Sequence, residues 1–213
     1  MLLDIVRFGH VIGIALGLGL AIYADGRFLR ALSSPIRAGE LEVLRAIHAH
    51  VLVAMGILWA TGLILLYVRT GFVPSEFAPK LFFKVSVVTL LTVNAVLIGR
   101  RVMPKLERYE GFSFIQMPVL IRVQLSLIGA VSAACWLSLL ALGVFQDFKR
   151  MSAGAIADVL QWFFMIPLAG AMTLALFAPT VFAVKRYRDR RRMAIAHPQP
   201  AYARQRMYYP RRS

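Results

Sequence analysis

The chain has 213 residues, 59% of them hydrophobic and 16% charged, with a formal net charge of +15 and a mean hydropathy of +0.68. Soluble domains carry about 25% charged residues, so this composition excludes an ordinary soluble domain and puts most of the surface against lipid. One membrane domain followed by a basic tail accounts for the length.

A spanning helix needs about 20 mainly apolar residues. Five stretches reach that length: Ile5–Tyr23, Ile47–Val68, Leu81–Gly99, Val119–Phe145 and Val159–Val184. The expected fold is therefore all-α, a polytopic bundle of five transmembrane helices over residues 1–184 with a basic, disordered tail over residues 185–213. The first span lacks the basic start and the small-residue cleavage site of a signal peptide, so it reads as an uncleaved helix. It carries His10, with Gly9, Gly13 and Gly17 at a spacing of four, a face along which another helix approaches closely.

Asp25–Glu42, with Ser33-Ser34-Pro35 and Gly39, reads as a loop or a broken interfacial helix. The second span opens with His48 and His50; Gly71, Pro74 and Pro79 then mark a short irregular loop. The third span opens with Lys84 and carries Asn94, and the charged segment after it extends the helix before a turn at Gly111. Pro118 suits the first turn of the fourth helix, within which Cys135 is a small packing residue. Asp158 and Gln161 open the fifth span, Trp162 suits an interfacial anchor, and Pro167 predicts a kink. No phosphate-binding loop, dinucleotide fingerprint or paired-cysteine metal spacing is present in the sequence.

Charge distribution predicts the orientation. The first and third inter-span segments and the tail hold 19 of the 25 Lys and Arg residues, the opposite side only 6. Cytoplasmic segments carry the excess, so the N-terminus is expected outside and the C-terminus in the cytoplasm of a cell inner membrane. The tail is drawn to anionic lipid headgroups by about 1 kcal/mol per basic residue near the surface; nucleic acid is the less suitable partner.

Ionisable side chains at membrane depth cost about 2.5–3.5 kcal/mol at a helix centre, so each needs a partner, an escape to the interface or a function. By the helical rise, His10 and Lys84 both lie roughly 5–8 Å below the outer interface. Asp158 and Gln161 start on that side too, so the four are expected to form one polar cluster. Each also has a plainer reading: Lys84 snorkels outward, His10 hydrogen-bonds a neighbouring helix, and Asp158 sits at a helix start. His48 and His50 begin near the opposite interface and lie about 200° apart around their helix, which disfavours a haem shared between His10 and either of them.

The segments Arg7-Phe8-Gly9-His10-Val11-Ile12 and Pro79-Lys80-Leu81-Phe82-Phe83-Lys84 resemble the HemJ-type protoporphyrinogen oxidase family and related small integral-membrane families, including the CopD-like group. The resemblance covers roughly the first 100 residues. It implies a b-type haem held through an early histidine and a lysine opening the third helix, matched here by His10 and Lys84, and a redox reaction on a porphyrinogen. This chain departs from the pattern in having Asn94 where a further histidine often stands, no tryptophan in its first span, a fifth span and a long basic tail. Neutral imidazole is a standard axial haem ligand, and only a neutral lysine amine coordinates iron. The expectation is thus a haem- or porphyrin-binding membrane protein with His10 and Lys84 as ligands and Asp158, Gln161 and Asn94 in support. The alternative is a non-enzymatic assembly subunit, or a small-solute or metal transporter, partnered through the glycine face.

Overall fold

The computed structural model describes residues 1–196. Their regular structure is helical throughout: α1 (Leu2–Ala31), α2 (Ala38–Thr70), α3 (Pro79–Leu97), α4 (Met103–Arg108), α5 (Val119–Val144) and α6 (Ala153–Ala196). A wider π turn over Ile98–Val102 joins α3 and α4 into one rod, Pro79–Arg108. The turn lies just before Pro104, whose ring and missing N–H disturb the regular ladder one turn back. Among the described residues, five rods are long and apolar enough to cross a membrane, as expected. Large apolar side chains such as Ile22, Val53, Val93 and Ile166 face outward, as they do where the surrounding solvent is lipid. The chain is an all-α, multi-pass membrane protein.

Helix ends differ from expectation at two places. The segment Asp25–Glu42 is largely helical, because α1 continues to Ala31 and α2 starts at Ala38, leaving only a turn around Ser33, Ser34 and Pro35. Nothing before Pro35 removes a backbone donor, and the isolated Gly26 is tolerated within a helix. Likewise α6 runs past Val184 to Ala196, since Arg, Lys and Ala are strong helix formers. The rest of the basic tail lies outside the described residues. The chain divides into two units, Met1–Leu176 and Phe177–Ser213. In the second unit the described backbone is the C-terminal part of α6.

In the first unit α1 lies along α2, α5 packs on α3, and α1 also meets α5. The glycine face explains the close approach. A Cβ on Gly13 would come within 3.1 Å of Leu58, and one on Gly17 within 2.1 Å of the Trp136 ring. This face therefore packs against α2 and α5 of the same chain.

The centre of the bundle is α5, where Ser126, Ala130, Ala134 and Ser138, four residues apart, are all buried. Around it Met55, Leu58, Val87, Leu91, Ala95, Cys135 and Trp136 form the main core. Ala141 and Leu142 of α5 join Phe148, Ile156 and Leu160 in a second cluster that seats α6.

Hydrogen bonds within the apolar zone join successive helices. Trp59 Nε1–H donates to Thr92 Oγ1 at 2.9 Å, linking α2 to α3, and Asn94 Nδ2–H donates to the Ile128 carbonyl at 3.1 Å, linking α3 to α5. Interhelical bonds of this kind contribute about 0.6 kcal/mol on average and at most about 1.7.

Charged contacts gather at the helix ends. Arg45 meets Glu107 at 2.7 Å, Arg27 meets Glu40 at 3.7 Å, and Lys105 bonds Gln124. The buried Arg122 donates to the Ile115 carbonyl at 3.0 Å. At the other end Lys80 Nζ donates to the Phe145 carbonyl at 2.8 Å, satisfying an acceptor just past the last turn of α5.

Candidate functional site

The N-terminal part of α1, the C-terminal part of α2 and the N-terminal part of α3 enclose a cavity of about 640 Å³. Its walls are mostly aliphatic. The polar groups on it are Arg7 and His10 from α1, Trp59 and Arg69 from α2, and Lys84 from α3; the lining contains no carboxylate. His10 and Lys84 thus line one chamber. Arg7 is exposed and pairs with Asp4 at 3.2 Å.

The chamber exists because of what its helices lack. Gly62 on α2 faces His10, and a Cβ there would lie 3.4 Å from the imidazole Cε1. Gly9 packs over Thr61 in the same way, at 3.5 Å from the threonine methyl. These two glycines let the imidazole and the Thr61 hydroxyl meet: His10 Nδ1 lies 2.9 Å from Thr61 Oγ1.

The direction of that bond follows from the proton inventory. Thr61 has one hydroxyl proton. It goes to the Ile57 carbonyl at 2.6 Å, a backbone acceptor one turn earlier on the same helix. Thr61 Oγ1 therefore accepts from His10 Nδ1–H. The imidazole is held as the Nδ1–H tautomer, with its Nε2 lone pair free. A hydrogen bond on one ring nitrogen that prepares the other as a ligand is the usual arrangement around metal-binding histidines. Lys84 makes no hydrogen bond or ion pair among the described residues, so its amine too is unpartnered on the chamber wall.

The remaining expected site residues stand elsewhere. Asp158 and Gln161 are exposed on α6 and do not line the chamber. Asn94 is buried, 3% exposed, and its amide is spent on α5. It braces two helices and is turned away from the chamber. His48 packs over Gly99 beside the π turn, and exposed His50 donates Nδ1–H to the Ala46 carbonyl at 2.6 Å. Neither reaches His10, in agreement with their separation in sequence depth.

Gly62 and Arg69, which line the chamber, and Thr61, which holds His10, were not singled out in the sequence. Thr61-Gly62 inside an apolar span offered the one available signal, a hydroxyl beside a missing side chain. No group of three or more His, Cys, Asp or Glu side chains able to hold a metal ion occurs among the described residues. No protein-family model, curated protein or solved structure matches the chain.

Proposed function

We propose that this chamber binds a b-type haem or a related porphyrin, with His10 Nε2 as a ligand and the Lys84 amine as its partner on α3, in a protein with a redox role. The observation carrying the proposal is the His10–Thr61 pair: the imidazole is fixed in the tautomer that leaves Nε2 free, on the wall of a chamber that also holds an unpartnered amine.

The residues present suit such a group in three respects. A volume of about 640 Å³ lies inside the roughly 300–1,000 Å³ range of cofactor and ligand cavities. The aliphatic walls from Ile14, Leu58, Leu63, Val85 and Val88 match an apolar macrocycle. Arg69, with no carboxylate in the lining to compete, and Arg7, which pairs with Asp4 outside the lining, suit the two acidic side chains of a b-type haem. When bound, the haem would supply one-electron chemistry. The chain's own contribution is to present the imidazole, hold its proton on Nδ1, exclude water with the aliphatic walls and neutralise the ligand's carboxylates. The resemblance to the HemJ-type family in the first and third spans supports the same reading. The positive-charge asymmetry supports an orientation with the chamber towards the exterior of a cell inner membrane.

Absorbance of the protein purified in detergent after haem-replete expression tests the proposal. A Soret band in the wild type that is lost in His10→Ala is the expected result; a colourless wild-type preparation contradicts it.

A second reading also has an observation behind it. Three cations around an apolar chamber without a lining acid suit a colourless amphipathic anion, carried as a transported solute. Saturable binding of a fatty acid by the colourless protein, lost on replacing Arg69, would favour it.

A further inference from the structure

A second cavity, of about 310 Å³, lies towards the other end of the first unit and shares no lining residue with the chamber of His10. It is enclosed by the late part of α1, the π turn and α4, the first half of α5, and α6 around Pro167. Its walls are apolar, and Gly129, Ala130, Ala133 and Ala171 supply the space. Two polar side chains break them: Asp25 and Ser126.

Both are unpaired. Asp25 is an exposed acid near the end of a membrane-spanning helix, and among the described residues it has no hydrogen-bond or ion-pair partner. Ser126 is 4% exposed, and among the described residues its Oγ has no hydrogen-bond partner; Ser138 on the same helix is also unpaired, but of the two only Ser126 lines a cavity. A serine within a helix ordinarily bonds the carbonyl one turn back, as Thr61, Thr70, Thr89 and Thr92 all do in this protein. A buried hydroxyl left unpaired costs about 1–3 kcal/mol, so an orphan hydroxyl on a cavity wall points to a group that enters the cavity. The π turn beside it supplies Ile98 and Val102 to the lining, and such turns recur at functional sites.

We propose that this cavity is a binding site for a small, largely apolar molecule whose polar end carries a hydrogen-bond donor, either a hydroxyl or a protonated amine. An ionised carboxylate only accepts hydrogen bonds, whereas a serine hydroxyl both donates and accepts. The ligand donates to Asp25, and the atom bearing that donor or one beside it pairs with Ser126 Oγ. An apolar cavity of roughly 150 Å³ holds a benzene ring, so this one takes a single ring with its substituents. An anionic head is excluded by Asp25. The site is independent of haem binding: it uses different residues and makes no demand on His10.

Calorimetric titration of the full chain in lipid nanodiscs tests it, with three probes of one ring each: phenol, benzylammonium and anisole, which has no donor. Phenol, benzylammonium or both should bind saturably and more tightly than anisole. Ser126→Ala should weaken that binding about three- to tenfold, the usual worth of one hydrogen bond. Asp25→Asn separates the two kinds of donor: it abolishes benzylammonium binding if the natural head is an amine and largely spares phenol if it is a hydroxyl. Donor probes that bind no better than anisole overturn the proposal, as does unchanged affinity in Ser126→Ala. The wild-type comparison needs no variant, and Ser126→Ala removes only an unpartnered atom, so neither result depends on a destabilised fold.

Discussion

His10 on α1 and Thr61 on α2 are joined across the helix pair by a 2.9 Å contact in which the imidazole Nδ1–H donates and the hydroxyl oxygen accepts. One bond thus docks two spanning helices and selects the tautomer of the histidine. Thr61→Val keeps the shape and removes the acceptor. Loss of an outer partner of a metal-binding histidine typically weakens binding about 10- to 100-fold, so Thr61→Val should lower haem affinity by that order, while Thr61→Ser should stay near wild type. Haemin titration followed at the Soret band checks both.

Lys84 faces the same chamber without a partner. Lys84→Met keeps much of the side-chain length and loses the amine. It should leave thermal stability unchanged or raised, because an unpaired amine at membrane depth is costly, yet shift the absorbance spectrum of the bound haem. An unshifted spectrum would assign Lys84 to the ligand's carboxylates alone.

Gly17 has no room for a side chain. A Cβ there would lie 2.1 Å from the Trp136 ring at the bundle centre, whereas one on Gly19 meets nothing within 4 Å. Overpacking a well-packed core costs about 1–3 kcal/mol. Gly17→Ala should lower the melting temperature of the detergent-solubilised protein clearly, and Gly19→Ala should not. Equal effects would mean that α1 does not dock on α5 through this face.

Asn94 stands where the resembling family often has a histidine, but it points to the Ile128 carbonyl on α5. Asn94→Leu should therefore cost about 0.6–1.7 kcal/mol of stability without changing ligand binding. Asn94→His should add no haem ligand. A thermal melt read alongside the absorbance spectrum separates the two effects.

Cys135 is the chain's sole cysteine and is buried, which makes orientation accessible to labelling. Ser33 and Ser75 are exposed in the turns at opposite ends of α2. A membrane-impermeant maleimide applied to intact cells should label Ser75→Cys and spare Ser33→Cys. The reverse pattern would invert the positive-charge assignment.

What was legible in the sequence divides along a physical line. Apolar length announced the five spans, and distance along a span gave the depth of His10 and Lys84, which do share a chamber. Rotation about the helix axis was not legible, because it is set by packing against neighbours. Asp158 and Gln161 were expected at the same depth but are exposed on α6 and absent from the chamber lining, and Asn94 turns to α5. Asp25 was hidden for another reason. The first span reads as ending at Tyr23, so the acid fell into a segment expected to be a loop or a broken interfacial helix, whereas α1 carries it two residues further along an unbroken helix.

The most direct test of the central claim is chemical rescue of His10→Ala. Adding imidazole to the detergent-solubilised variant together with haemin should restore a Soret band close to that of the wild type, because the small base enters the space left by the side chain and Thr61 remains to orient it. A His10→Ala protein that binds haemin with the wild-type spectrum and affinity in the absence of imidazole would contradict the assignment.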